Sequence, residues 1–342
     1  MSIALSDPTS PVALPSGLLA RLGVKLVEDP RDLSLLGTAV FLSAVMVPSA
    51  VYLALPGHFR WWLAGLYLAF YLYMLGPYIL LLHNTSHRRL LVRRFARLAP
   101  WIPCVLGPLF GETPYTYFAH HVGMHHPENN LEDDLSSTMR FQRDSVVDFL
   151  RYFGRFMVLG LVELAGYFSR KKRPRLRRIA ALGELSYLGV AAVCLVHDWR
   201  VGLVIFVLPL TISRFAMMSG NWAQHAFIDA ASPENSYRNS LTCINSVYNR
   251  RCFNDGYHIG HHLKQTRHWT EMPREFAENE ARYAEEGAIV FERLDFTGVW
   301  LLLMLKRYDV LARRFVRLAG DTRDDSAIEA LLRARTRRIP AR

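Results

Sequence analysis

"LSLLGTAVFLSAVMVPSAVYLALPGHF", residues 33–59, contains no Asp, Glu, Lys or Arg. Its length exceeds the ~20 apolar residues needed to cross a ~30 Å hydrocarbon core. A soluble core helix would place a polar residue at every third or fourth position, and this stretch does not. Beyond Arg60, the stretch Trp61 to Leu82 is again without charge. The two read as membrane spans joined by a short turn. Further along, Ile179 to Val196 is apolar apart from Glu184, and Val201 to Gly220 is apolar apart from Arg214. Only "HDWR" (197–200) connects them, which predicts a second tight helical hairpin. The fold expected is all-α and polytopic, with about four transmembrane helices near 33–56, 61–82, 179–196 and 201–220 and a cytoplasmic helical cap.

Other apolar pieces are too short to cross. Leu98 to Gly111 holds three prolines and is expected to be re-entrant or interfacial; Phe296 to Leu305 is expected to be a core or surface helix. Residues 146–168 mix Phe, Leu and Val with Asp148, Arg151, Arg155 and Glu163, a pattern suited to an amphipathic helix lying on the membrane. The division expected is a cytoplasmic N-terminal segment (1–32), a membrane domain (33–275) and a basic helical C-terminal region (276–342).

The net charge of +11 is concentrated in two runs, "RRLLVRRFAR" (88–97) after the second span and "RKKRPRLRR" (170–178) before the third. The hairpin turns "PGHFR" and "HDWR" hold one Arg each. Positive charge marks the cytoplasmic side, so both termini and the central segment are expected there. The juxtamembrane position of the runs argues against nucleic-acid binding. Residues 1–20 show no charged start followed by an apolar run, so no signal peptide is expected. Cys104, Cys194, Cys243 and Cys252 have no metal-type or disulfide-type spacing.

Nine of the thirteen histidines fall in three short strings: "HNTSH" (83–87), "HHVGMHH" (120–126) and "YHIGHH" (257–262). His83 and His87 follow the second span at i, i+4, on one helix face. His121, His125 and His126 lie in the central segment. His225 comes just after the fourth span, with Asn221 four residues before it. His258, His261 and His262 stand at i, i+3, i+4. Charge bias puts all of them on one side of the membrane without reference to any histidine. Imidazole ligates zinc, copper, iron and nickel. So many imidazoles exceed the needs of one zinc ion and suit two metal ions. No HExxH motif points to a zinc protease.

These strings resemble the three histidine boxes of the integral-membrane fatty acid desaturase and hydroxylase superfamily: HxxxH, then HxxxHH, then HxxHH. They read His83-Asn-Thr-Ser-His87, His121-Val-Gly-Met-His125-His126 and His258-Ile-Gly-His261-His262. The family's isolated histidine, with an asparagine four residues earlier acting through water, is matched by Asn221-Trp-Ala-Gln-His225. The resemblance covers about residues 35–275. It implies metal ligation by His83, His87, His121, His125, His126, His225, His258, His261 and His262, with Asn221 beside them. It also implies two non-haem iron ions, dioxygen and two electrons.

The implied activity is desaturation of the acyl chain of a fatty acid or lipid, with lipid or hydrocarbon hydroxylation as the alternative on the same scaffold. A haem-binding membrane cytochrome or a metal transporter fits less well. The first would hold paired histidines at mid-membrane, and the second would line its path with ionisable residues. The substrate would arrive as acyl-lipid, acyl-CoA or acyl-carrier protein. With no fused haem domain, an external ferredoxin or small cytochrome would supply electrons. The setting expected is a bacterial inner membrane. Family spacing selects His121 over His120. His58 and His197 fall on the opposite side and are expected to be ordinary, and His268 could support the site from behind. Of "PENNLEDDLSST" (127–138), Glu132 is read as a loop residue, while Asp133 and Asp134 stay open between loop solvation and a hydrogen bond to a ligand imidazole. Finally, counting ~1.5 Å per residue from the "HDWR" turn puts Glu184 and Arg214 at nearly equal depth. They are expected to pair or meet through a water, the alternative being that each snorkels separately to the headgroups.

Overall fold

The computed structural model describes residues 3–9 and 17–340. The chain divides into two compact units. One contains residues 12–123 and 161–215, the other residues 1–11, 124–160 and 216–342.

Four helices are long and apolar enough to cross a bilayer: Pro30–Ala54, Trp61–His87, Pro174–His197 and Trp199–Gln224. The chain is an all-α polytopic membrane protein, as its sequence predicts. Backbone N–H and C=O groups find no water in a bilayer, so a helix that satisfies them internally is the stable form. Many large side chains on these helices face outward, among them Val40, Phe41, Leu66, Leu72, Leu182 and Val193. Such an apolar exterior is what lipid contact requires.

Within the first unit, both short turns lie on one side. The rings of Trp61 and Trp199 are 6.0 Å apart, and the Arg200 guanidinium sits 4.8 Å over the Phe59 ring. The fourth span is irregular at Leu203–Val207, a π-type turn just before Pro209, which has no N–H to continue the ladder. Leu98 to Gly111, open at the sequence level between two placements, packs against the spans. Tyr78 donates to the Ile102 carbonyl (3.2 Å) and stacks on Phe110 at 4.3 Å. Tyr71 donates to the Pro209 carbonyl at 3.1 Å. Gly111 has φ +79°, and a Cβ there would meet the Pro209 carbonyl oxygen at 2.1 Å. Only glycine fits that approach.

The other unit holds a feature the sequence reading did not include. Leu241–Ile244 and Ile289–Glu292 pair as a two-stranded parallel sheet, Leu241 opposite Ile289. Its core joins Phe227, Leu241, Cys243, Phe291, Phe296, Leu303, Leu311 and Ile328. The apolar run at 296–305 is thus a core helix, Phe296–Met304. Arg143, fully buried, gathers distant pieces of this unit. It donates to the carbonyls of Thr138, Met139, Phe141, Ala226, Arg335 and Arg337. Burial pulls its guanidinium down to about 9, still well above neutral, so it remains charged. The amphipathic segment forms one helix, Val146–Arg170. It buries Asp148, Phe149 and Tyr152 and exposes Val147, Leu150, Val158 and Val162, so it has an outward apolar face.

Candidate metal centre

The second box starts where a short helix, Thr116–His120, gives way to a π-type turn at His121–His125. The third box is a six-residue helix, His258–Leu263. Its start is set by Gly256, where a Cβ would lie 2.2 Å from the Cys243 carbonyl oxygen.

His125, His225, His258 and His262 belong to the same unit and each offers a ligand nitrogen, all within 4.8 Å of one another. The first three are buried and His262 is partly so. Nε2 of His258 lies 3.2 Å from Nε2 of His225 and 3.0 Å from Nε2 of His262. Two of the outer nitrogens have their own partners, while Nδ1 of His258 is buried without one among the described residues. Nδ1 of His125 meets Asp134 Oδ2 at 2.7 Å, and Nδ1 of His225 meets the Asn239 carbonyl at 2.9 Å. A proton on each of these two Nδ1 atoms donates outward, which leaves the Nε2 lone pair facing the group. Burial, reinforced by His125, holds the His225 imidazole down to about 4. Burial, reinforced by His262, pushes His258 well below its ordinary value. Around neutral pH both rings are uncharged. Their converging lone pairs make an all-nitrogen set suited to a transition-metal cation.

The remaining box histidines fall into two sets. In the first unit His83, His87 and His121 offer ligand nitrogens within 4.8 Å of one another, with the His83 and His121 rings 4.7 Å apart. In the other unit Nε2 of His126 and Nε2 of His261 are 3.0 Å apart. Among the described residues His120 is in neither of the groups able to hold a metal, and the exposed His58 and His197 are likewise outside them. His268 is buried and its Nδ1 accepts from Thr270 N at the start of a turn. Asn221 gives its amide nitrogen to the Ser136 carbonyl (3.0 Å) and to the Tyr152 hydroxyl (2.8 Å), which fixes the side chain's orientation.

The open question at "LEDD" is answered. Glu132 and Asp133 are exposed and Asp134 is buried. Asp134 Oδ1 accepts from Ser136 Oγ (2.6 Å) while its Oδ2 holds His125. Asn239 and Tyr152 escaped sequence reasoning altogether. Neither lies in a box, and their contacts join residues 14 and 69 positions apart.

Comparison with curated proteins and with solved structures gave no match. The profile of a family described as fatty acid desaturase matches residues 31–294, which takes in all three histidine strings and all four spans. The chain therefore belongs to the fatty acid desaturase family.

Proposed function

We propose that this chain is a membrane-bound non-haem di-iron oxidoreductase that desaturates the acyl chain of a fatty acid or lipid. The observation that carries the proposal is the buried group His125, His225, His258 and His262. Its ligand nitrogens face inward, with Asp134 and Asn239 behind two of the rings. That group is assigned one ion, and the family pattern draws the ligands of the second from the remaining box histidines. Asn221 acts beside the His225 group through water.

When bound, two iron ions supply the oxidising power that unactivated C–H bonds demand, drawing on dioxygen and two electrons. The chain's own residues do the rest. Asp134 and Asn239 hold the imidazoles in one tautomer and orientation. Burial keeps the His225 and His258 rings neutral. The apolar spans admit an acyl chain from the bilayer, and its fixed placement decides which carbon reacts. The exposed arginines at 93, 94, 97, 175, 177 and 178 suit an acidic ferredoxin or small cytochrome as electron donor, and by the positive-inside rule they support a cytoplasmic setting for the boxes.

Lipid profiling of a host with and without the gene tests the reaction. A new double bond supports desaturation, and a hydroxylated product instead selects hydroxylation. Iron analysis with optical spectra on purified protein tests the centre. About two non-haem irons per chain are expected, whereas haem, or no metal at all, would sink the reading.

A further inference from the structure

Seven residues at the start of the chain, "IALSDPT" (3–9), are laid against the loop that leads into the third histidine box. Asp7 lies at the centre of this contact and is buried, 5% exposed. Its Oδ2 accepts three hydrogen bonds: from Asn245 N at 2.7 Å, from Asn249 Nδ2 at 3.0 Å and from the Tyr257 hydroxyl at 2.7 Å. Flanking bonds run along the strap. Ser6 N donates to Asn245 Oδ1 at 2.7 Å, Asn245 Nδ2 to the Ala4 carbonyl at 2.9 Å, and Asn254 Nδ2 to the Pro8 carbonyl at 2.6 Å. Ile3 and Leu5 pack against a core of Ile244, Tyr257, Ile259 and Phe276.

What these bonds grip is the approach to His258. Asn249, held by Asp7, accepts from Gly256 N at 2.9 Å. Tyr257 is the residue directly before His258 and caps the helix that carries His258, His261 and His262. Asn245, Phe253 and Asn254 all adopt left-handed backbone conformations. Such strain persists only where surrounding contacts impose it. A buried carboxylate is costly unless it is hydrogen-bonded; here three donors from one loop converge on Oδ2, while the buried Oδ1 has no partner among the described residues.

We propose that Asp7 is a positioning residue for the metal centre. The N-terminal strap, closed over residues 245–257 through Asp7, sets Tyr257 and through it the ligand geometry of the third box. This rests on the reading that His258, His261 and His262 bind metal. Residues that orient metal ligands from behind contribute about 10- to 100-fold to metal affinity, so the strap is a remote element of that set, brought in from the far end of the chain.

The test is titration of purified, metal-stripped full-length protein in detergent with Co2+ alone, followed by its ligand-field spectrum. Asp7→Ala and Tyr257→Phe should each weaken Co2+ binding about 10- to 100-fold and alter the spectrum. The double variant should cost no more than the worse single one, because both break the same link. Asp7→Asn can keep all three bonds on its remaining oxygen while removing the charge. It should fold where Asp7→Ala does not, and should give a smaller loss. Wild-type affinity and an unchanged spectrum in Asp7→Ala, or in Tyr257→Phe where Asp7→Ala fails to fold, would overturn the strap's role alone, as would costs that simply add. A wild-type protein that takes up no Co2+ would overturn the metal reading and this inference together.

Discussion

Nη2 of Arg214 lies 2.5 Å from Oε1 of Glu184, joining the third and fourth membrane spans. Both side chains are largely buried, and Glu184 Oε2 also accepts from Thr113 Oγ1 at 2.9 Å. Glu112 stands beside them, bonded to Ser213. Two carboxylates and one guanidinium therefore share a site between apolar helices, where ionisable residues are rare and need partners. Breaking a buried pair costs ~3–5 kcal/mol, because the survivor is left uncompensated. Glu184→Gln and Arg214→Gln should each lower the folded yield from detergent extracts, judged by a monodisperse gel-filtration peak. The double substitution should recover part of the loss. Strictly additive losses would mean that the contact contributes nothing as a pair.

The ligand assignment predicts an uneven alanine scan. His83→Ala, His121→Ala, His225→Ala and His261→Ala should abolish product formation and lower bound iron. His58→Ala and His197→Ala, at the exposed far turns, should leave both intact. Within the second box His121→Gln should lose iron while His120→Gln keeps most of it. Metal analysis of the purified variants decides the matter, and the reverse order at 120 and 121 would show the register to be misassigned.

Asp134 is expected to act on metal through His125. Asp134→Asn should reduce iron affinity about 10- to 100-fold, because the amide cannot serve every donor now met by the carboxylate. Besides His125 and the Ser136 hydroxyl, those donors are Asn130 N (2.9 Å) and Ser136 N (2.8 Å). Competition with a chelator of known affinity reads the change. Retention equal to wild type would reduce Asp134 to a loop-former.

Arg143 should matter for stability and not for ligation. Arg143→Met takes a donor from six carbonyls, of which those of Thr138, Met139 and Arg335 keep a backbone N–H while those of Phe141, Ala226 and Arg337 lose the guanidinium bond. Each unmet buried partner costs ~1–3 kcal/mol, so the metal-free protein should show a clearly lower thermal midpoint. Arg143→Lys should rescue little, since an ammonium on a flexible stem cannot reproduce the planar fork of donors. A midpoint within a degree or two of wild type in either variant would contradict this account.

What the sequence made legible, and what it hid, follows from the range of each signal. The spans announce themselves because lipid demands long uncharged runs. The boxes are local strings, and the Glu184–Arg214 pair was within reach because a hairpin turn fixes the register of its two helices. The strands "LTCI" and "IVFE" are four-residue, mostly apolar pieces, too short for periodicity to separate strand from helix. Asp7 looks like an ordinary residue of a polar leader, and its partners lie some 240 positions away. Asp134 could be narrowed to a choice of two roles, since acidic loop residues are common. Only the fold distinguishes the buried one from its exposed neighbour Asp133.

The pairing of Trp61 with Trp199 has a consequence for the choice of host membrane. Indole rings settle at the lipid headgroup boundary, so these two moor both hairpins at one leaflet. Measured along the helix from Trp61, His83 and His87 stand about 33 and 39 Å away, just beyond a ~30 Å hydrocarbon layer. With one end moored, any thickening of the bilayer must be taken up at the other. Long-chain or sterol-rich lipid would then draw the first histidine string toward the hydrocarbon, and thin lipid would leave it bathed in water. Iron retention and any activity should therefore follow acyl length across a series of reconstituted phosphatidylcholines, so that the thickness of the host bilayer sets the depth of the first histidine string.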